Sequence, residues 1–206
     1  MMQQLNATLR RVPEWAVWLV GSLPLILLTA DVLTGNLGVD PIRDIEHRLG
    51  RTALYFLIGS LMVTPVRRLL RLNAMHLRRA IGLLSFSYAV LHLGAWVLFD
   101  MGLLWGQMLR DVVKRPYLIF GMGAFVILLI LALTSNRFSI RRLGANWRKL
   151  HRLVYLAAIL ASLHWLWALK LLSSWPVICT GAILLLLLYR AYVAWGQPLK
   201  EALQFR

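Results

Sequence analysis

LHRLVYLAAILASLHWLWALK, residues 150–170, is an almost unbroken apolar run that carries two histidines, His151 and His164, 13 residues apart. A run of about 20 apolar residues spans a bilayer core as a helix. An imidazole inside such a span is costly, because hydrocarbon offers no water to its ring nitrogens. A third histidine, His92, lies in a second apolar run, residues 80–99. Counted from the cytoplasmic ends at Ala80 and Leu150, His92 lies about 18 Å and His164 about 21 Å along their helices. Two imidazoles at one depth on two helices can clamp a haem iron from both faces. The leading expectation from the residues is a membrane haem-b protein.

His151 stands at the mouth of its span, about 19.5 Å from His164, a separation that would stack a second haem near the other surface. At 100° per residue, 13 residues rotate about 220°, so the two histidines share a face only if a tighter turn intervenes near the helix start. The helix of His92 has no second buried histidine. Arg78 stands 14 residues before it on nearly the same face, and His76 two residues earlier. An arginine at that level can pair with a haem propionate. The plainer alternatives are interhelical hydrogen bonds for His92 and His164, an interfacial role for His151, topology anchoring for Arg78 and Arg79, and solvation for His47 and His76.

Of the 206 residues, 60% are hydrophobic, more than soluble domains carry. The apolar runs define six spans at approximately 14–33, 51–66, 80–99, 116–134, 150–170 and 176–195. The second is expected to end at Thr64-Pro65, ahead of Arg67 and Arg68. Pro116 and Pro176 suit a first helical turn. Trp15, Trp96, Trp105, Tyr117, Trp165, Trp167, Trp175 and Trp195 recur near span ends, as an interfacial belt does. The first run reads as a retained helix rather than a cleaved leader.

The net charge of +15 lies in clusters between the spans, a positive-inside pattern rather than a nucleic-acid surface. Sixteen of the 23 Lys and Arg fall on the side of the N-terminus, the 67–79 loop, the 135–149 loop with Arg152, and the C-terminal tail. The other side has seven: Arg43, Arg48, Arg51, Arg110, Lys114, Arg115 and Lys170. Both termini are therefore expected in the cytoplasm. The expected fold is an all-α membrane protein, one six-helix transmembrane domain over 1–206 with haem between the third and fifth helices. Cys179, the single cysteine, excludes a disulfide framework or thiolate metal site. There is no Rossmann fingerprint, no room for an NADPH or FAD domain, and no HExxH or hydrolytic triad.

The segments DPIRDIEHRLGRTAL (40–54), RRAIGLLSFSYAVLHL (78–93), RPYLIFGMGAFVILLILALTS (115–135) and LGANWRKLHRLVYLAAILASLHWLW (143–167) resemble the MsrQ family. Its members are haem-binding membrane subunits of bacterial periplasmic methionine-sulfoxide reductase systems, within the ferric-reductase-like transmembrane superfamily. The resemblance implies a haem-b protein of the inner membrane that passes electrons outward to a periplasmic molybdopterin reductase, MsrP. It implies His92, His151 and His164 as axial haem ligands. Arg78 stands where related NADPH oxidases have a second histidine, which leaves the sixth ligand of an inner haem unassigned. The family is described as carrying FMN and drawing on the quinone pool. FMN rests on the resemblance alone, since no flavin fingerprint is present.

Two functional classes compete. One is electron transfer from quinol, or from a cytoplasmic flavin reductase, through haem to a periplasmic acceptor. The other is a non-redox scaffold, or a transporter using its histidines for protons or metal ions. Against the second stand the matched depths of His92 and His164 and the near absence of carboxylates within the spans. The outer loops 34–50 and 100–115, with Asp40, Asp44, Glu46, Asp111, Arg43, Arg48 and Lys114, suit a charge-steered encounter with a partner.

Overall fold

The computed structural model describes residues 2–169 and 173–204, with side chains over 3–169 and 173–194. Lys170 and Arg206, and the side chains of Trp195 and Lys200, lie outside the described residues. A short helix, α1 (Met2–Arg11), precedes α2 (Glu14–Thr34) and the long α3 (Pro41–Leu69). A 3₁₀ turn leads into α4 (Arg78–Ala95), which closes in a π turn over Trp96–Asp100. Then come α5 (Trp105–Lys114), α6 (Pro116–Leu133), α7 (Arg137–Leu143), α8 (Ala145–Leu150), a second 3₁₀ turn at His151–Leu153, α9 (Val154–Ala168) and α10 (Ser174–Gln204). Among the described residues six helices are long and apolar enough to cross a membrane, those built on α2, α3, α4, α6, α9 and α10. The protein is a multi-pass, all-helical membrane protein.

Two buried clusters hold the bundle. Leu54, Leu57 and Leu61 of α3 meet Leu128 of α6, Ala157 and Ala158 of α9, and Cys179 and Ile183 of α10. Leu49 and Ala53 of the same α3 meet Leu28 of α2 and Leu84, Tyr88 and Ala95 of α4. Ala157, Ala158 and Ser85 have no exposed surface; small residues at helix crossings let backbones approach where lipid gives no hydrophobic drive. Leu19, Val20, Leu23, Ile26 and Leu27 of α2, and Ile178, Leu184, Leu185 and Leu188 of α10, point outward. Such continuous apolar surface is compatible with hydrocarbon and not with water.

The second span differs most from expectation: α3 begins at Pro41 rather than 51 and runs through Pro65 to Leu69. Its polar opening DPIRDIEHRL reads as a loop by hydropathy, yet Asp40 accepts from the Arg43 N–H at 3.2 Å and Pro41 fills the first turn, both helix-starting devices. Pro65 has no N–H to give the Leu61 carbonyl four residues back. That carbonyl instead accepts from Arg190 Nη2 of α10 at 2.7 Å, so the helix continues. Next to Pro24 in α2 a side chain likewise enters the helix ladder. The buried Tyr88 hydroxyl donates to the Gly21 carbonyl at 2.7 Å and accepts from the Leu25 N–H at 3.1 Å, bridging an interrupted backbone bond. Residues 105–114 and most of 135–149, expected as loops, are helical.

Candidate functional site

His92 of α4 and His164 of α9 meet across the bundle with ring centroids 6.1 Å apart and planes at 70°. His92 Nδ1 lies 2.9 Å from the Glu46 carbonyl of α3. His164 Nδ1 lies 2.7 Å from the Tyr117 carbonyl of α6. A carbonyl only accepts, so each Nδ1 carries the proton and each Nε2 keeps its lone pair. Neither Nε2 has a hydrogen-bond partner among the described residues. This is the outer-shell arrangement that orients metal-ligating imidazoles.

The two anchors are built alike. Four residues after Glu46 comes Gly50, and four after Tyr117 comes Gly121, one helical turn on, directly above the accepting carbonyl. A Cβ at Gly121 would stand 2.7 Å from His164 Nδ1, and one at Gly50 would stand 3.2 Å from His92 Nδ1 and Cε1. Each glycine therefore forms a saddle in which an imidazole rests against helix backbone. Mid-helix glycine costs about 1 kcal/mol against alanine, a cost that close ring contact explains. These saddles escape a reading of the histidines alone; glycine interrupting an apolar helix four residues after a carbonyl is the sequence signal that marks them.

The paired rings fit a metal held between them. Two in-line metal–imidazole bonds of about 2.0–2.1 Å, with roughly 1 Å from each nitrogen to its ring centre, sum to about 6 Å. Among the described residues no group of three or more His, Cys, Asp or Glu assembles. The donor set is thus two neutral imidazoles, which suits an iron whose other four ligands come from a porphyrin and does not suit a tetrahedral ion held by protein alone.

His151 is not paired with a second histidine. Its ring stacks on Trp147, centroids 3.9 Å apart and planes at 26°, and its Nε2 lies 3.1 Å from Thr134 Oγ1. The Thr134 hydroxyl sits 2.7 Å from the Ile130 carbonyl, while its carbonyl accepts from Trp147 Nε1 at 2.9 Å. The 3₁₀ turn at His151–Leu153 supplies part of the tighter winding that the 13-residue spacing requires. Three residues at about 120° instead of 100° bring His151 some 60° nearer the face of His164. Arg78 stands half-buried at the start of α4. His76 bonds the Val12 carbonyl at 3.2 Å, and His47 is exposed on α3; neither joins the paired rings.

Residues 49–162 match the family described as ferric reductase like transmembrane component. The chain is 43% identical over 176 residues to a protein of Agrobacterium fabrum, covering 85% of this chain and 82% of the relative. It is 43% identical over 183 residues to one of Brucella anthropi, covering 87% and 83%, and 40% identical over 199 residues to one of Brucella ovis, covering 95% and 90%. Each of these is named protein-methionine-sulfoxide reductase heme-binding subunit MsrQ. No solved structure matches the chain.

Proposed function

Because this chain belongs to the ferric-reductase-like transmembrane family, in its MsrQ group, we propose that it is a haem-b electron-transfer subunit of the bacterial inner membrane. It takes electrons from quinol or a cytoplasmic flavin reductase and delivers them outward to a periplasmic molybdopterin methionine-sulfoxide reductase, MsrP. The observation that carries this reading is the pair of Nδ1-anchored imidazoles, His92 and His164, 6.1 Å apart within the bundle. Bound haem supplies one-electron redox chemistry at its iron. His92 and His164 would hold it through their free Nε2 atoms, and the carbonyls of Glu46 and Tyr117 keep both rings in the ligating tautomer. His151 and Arg78 line the opposite end of the bundle, where they would serve a second haem or the arrival of electrons. Reduction of the sulfoxide, which consumes two electrons and two protons and releases water, belongs to the partner.

The purified full-length protein, reduced with dithionite, is expected to show the sharp visible bands of low-spin haem b. His92→Ala and His164→Ala should each abolish most of that signal while the protein still inserts. A colourless wild-type protein after expression with ample haem would overturn the reading in favour of a proton or metal transporter. An intact spectrum in both variants would assign the ligands elsewhere.

A further inference from the structure

We propose that α5 is an interfacial helix, and that its outward apolar face, Trp105, Leu109 and Val113, is seated in the phospholipid leaflet at the end of the bundle that holds His92 and His164. At 100° per residue these side chains fall within about 80° of one another. They are 66%, 71% and 77% exposed. On the neighbouring side Met108 is buried and Val112 half-buried. The helix thus packs half of its apolar arc on the bundle and leaves the other half bare. Gln107, Arg110 and Lys114 take the remaining side and are exposed. Among the described residues neither Arg110 nor Lys114 enters a salt bridge.

The connections of α5 decide what lies against that face. The helix joins the end of one span, at Asp100, to the start of the next, at Pro116. Its 10 residues are about 15 Å long, half the thickness of a hydrocarbon core. Both attachments lie at one membrane surface, so α5 runs along that surface. Leu98 and Phe99 before it and Ile119 after it are exposed on the lipid-crossing helices themselves. The bare face of α5 therefore continues the surface that the spans present to hydrocarbon, which favours lipid over a water-soluble protein. Between α4, α5 and α6 lies a recess of about 340 Å³ walled by Leu93, Trp96, Val97, Met108, Val112 and Met122. Trp105 and Leu109 line it too while remaining exposed, so it opens on the same side. Water there would find no polar partner, whereas an acyl chain fills it at no such loss. Arg110 and Lys114 stand where an interfacial helix turns cations toward headgroup phosphates. The backbone fixes this position. Gly102 and Leu103 take φ of +54° and +63°, reversing the chain, and the Leu103 N–H bonds the Val97 carbonyl at 3.1 Å. A leucine in the left-handed region persists only where its surroundings over-determine it.

Spin labels on single cysteines test this in full-length protein in vesicles of phosphatidylethanolamine and phosphatidylglycerol, with the buried Cys179 replaced by alanine. Leu109→Cys and Val113→Cys probe the face, Gln107→Cys stands for water, and Leu185→Cys, on the outward surface of α10, stands for lipid. Collisions with molecular oxygen, which concentrates in hydrocarbon, are compared with collisions with a water-soluble nickel chelate. The labels at 109 and 113 should match the oxygen-to-nickel ratio at 185 and exceed that at 107 severalfold. A ratio equal to that at 107 would put the face in water and overturn the proposal. Shielding from both reagents would overturn it in favour of a second copy of this chain. A companion measurement needs no label. Leu109→Gln combined with Val113→Gln leaves Met108 and Val112 in place and should speed amide exchange across α5 about tenfold in vesicles, by removing its lipid contact. Unchanged exchange in that variant would equally count against lipid. Neither measurement depends on the haem reading, because a protein that bound no haem would be expected to give the same pattern.

Discussion

His164 rests its imidazole so closely on Gly121 that an alanine methyl there would sit 2.7 Å from Nδ1, the same nitrogen that lies 2.7 Å from the Tyr117 carbonyl. One turn of α6 thus supplies both the acceptor that sets the tautomer and the absence of side chain that admits the ring. Glu46 and Gly50 of α3 do the same for His92.

Gly121→Ala should therefore push His164 off its carbonyl and lower haem affinity about 10–100-fold, the usual cost of losing an outer-shell partner. Gly50→Ala, with its contact at 3.2 Å, should cost less, because a few tenths of an ångström relieve it. Haem titration of the two purified variants checks the order. Equal affinities would show that the saddles do not set ring position.

His151→Ala should leave the haem at His92 and His164 in place. It should remove any second haem or slow reduction by the donor, since His151 lies at the other end of the bundle and touches Trp147 and Thr134 instead. Haem-to-protein ratio and stopped-flow reduction measure the two effects. No change in either would make His151 a packing residue against Trp147.

Arg190→Gln should cost roughly 1–3 kcal/mol of stability by stranding the Leu61 carbonyl. In a Pro65→Ala background the new N–H restores the helix bond, and the penalty should shrink by about 1 kcal/mol. A double-mutant cycle on detergent-solubilised protein tests this. Strictly additive effects would mean that Arg190 is not the repair for Pro65.

The charged turns beside Asp31 and α3 carry less free charge than the sequence suggests. Arg48 bonds Asp31 at 2.5 Å and Asp44 at 2.9 Å, and Glu46 Oε1 is buried. Reversing Asp44 should then loosen the start of α3 as well as any docking. Reversing the exposed Arg43, whose ion pair with Asp40 is 3.5 Å long, should change partner association with little structural cost, whereas reversing Asp40 would also remove the cap of α3. Electron-delivery rates across a salt series separate these cases, and a flat series would place docking on an apolar surface.

Hydropathy and depth made much of this legible in the sequence. The six spans follow from apolar runs, and His92 and His164 from their equal distance along two of them. The start of α3 was hidden because its capping signals, Asp40 and Pro41, sit in a stretch whose polarity mimics a loop. Its passage through Pro65 was hidden because the group that satisfies Leu61 comes from Arg190, 129 residues away. The glycine saddles were hidden because glycine within an apolar helix also serves plain packing. Only the ring lying against it identifies its use.

The unbroken course of α3 makes it a gauge rod. Its Glu46 carbonyl sets His92 at one end, and its Leu61 carbonyl seats Arg190 at the other, 15 residues or about 22 Å apart. A single residue inserted between them would turn one anchor by about 100° relative to the other, while changing neither the hydropathy of the span nor any histidine. Spacing within this helix is consequently under tighter constraint than composition. Homologous chains should vary freely in which apolar residues fill 51–60 but not in how many there are.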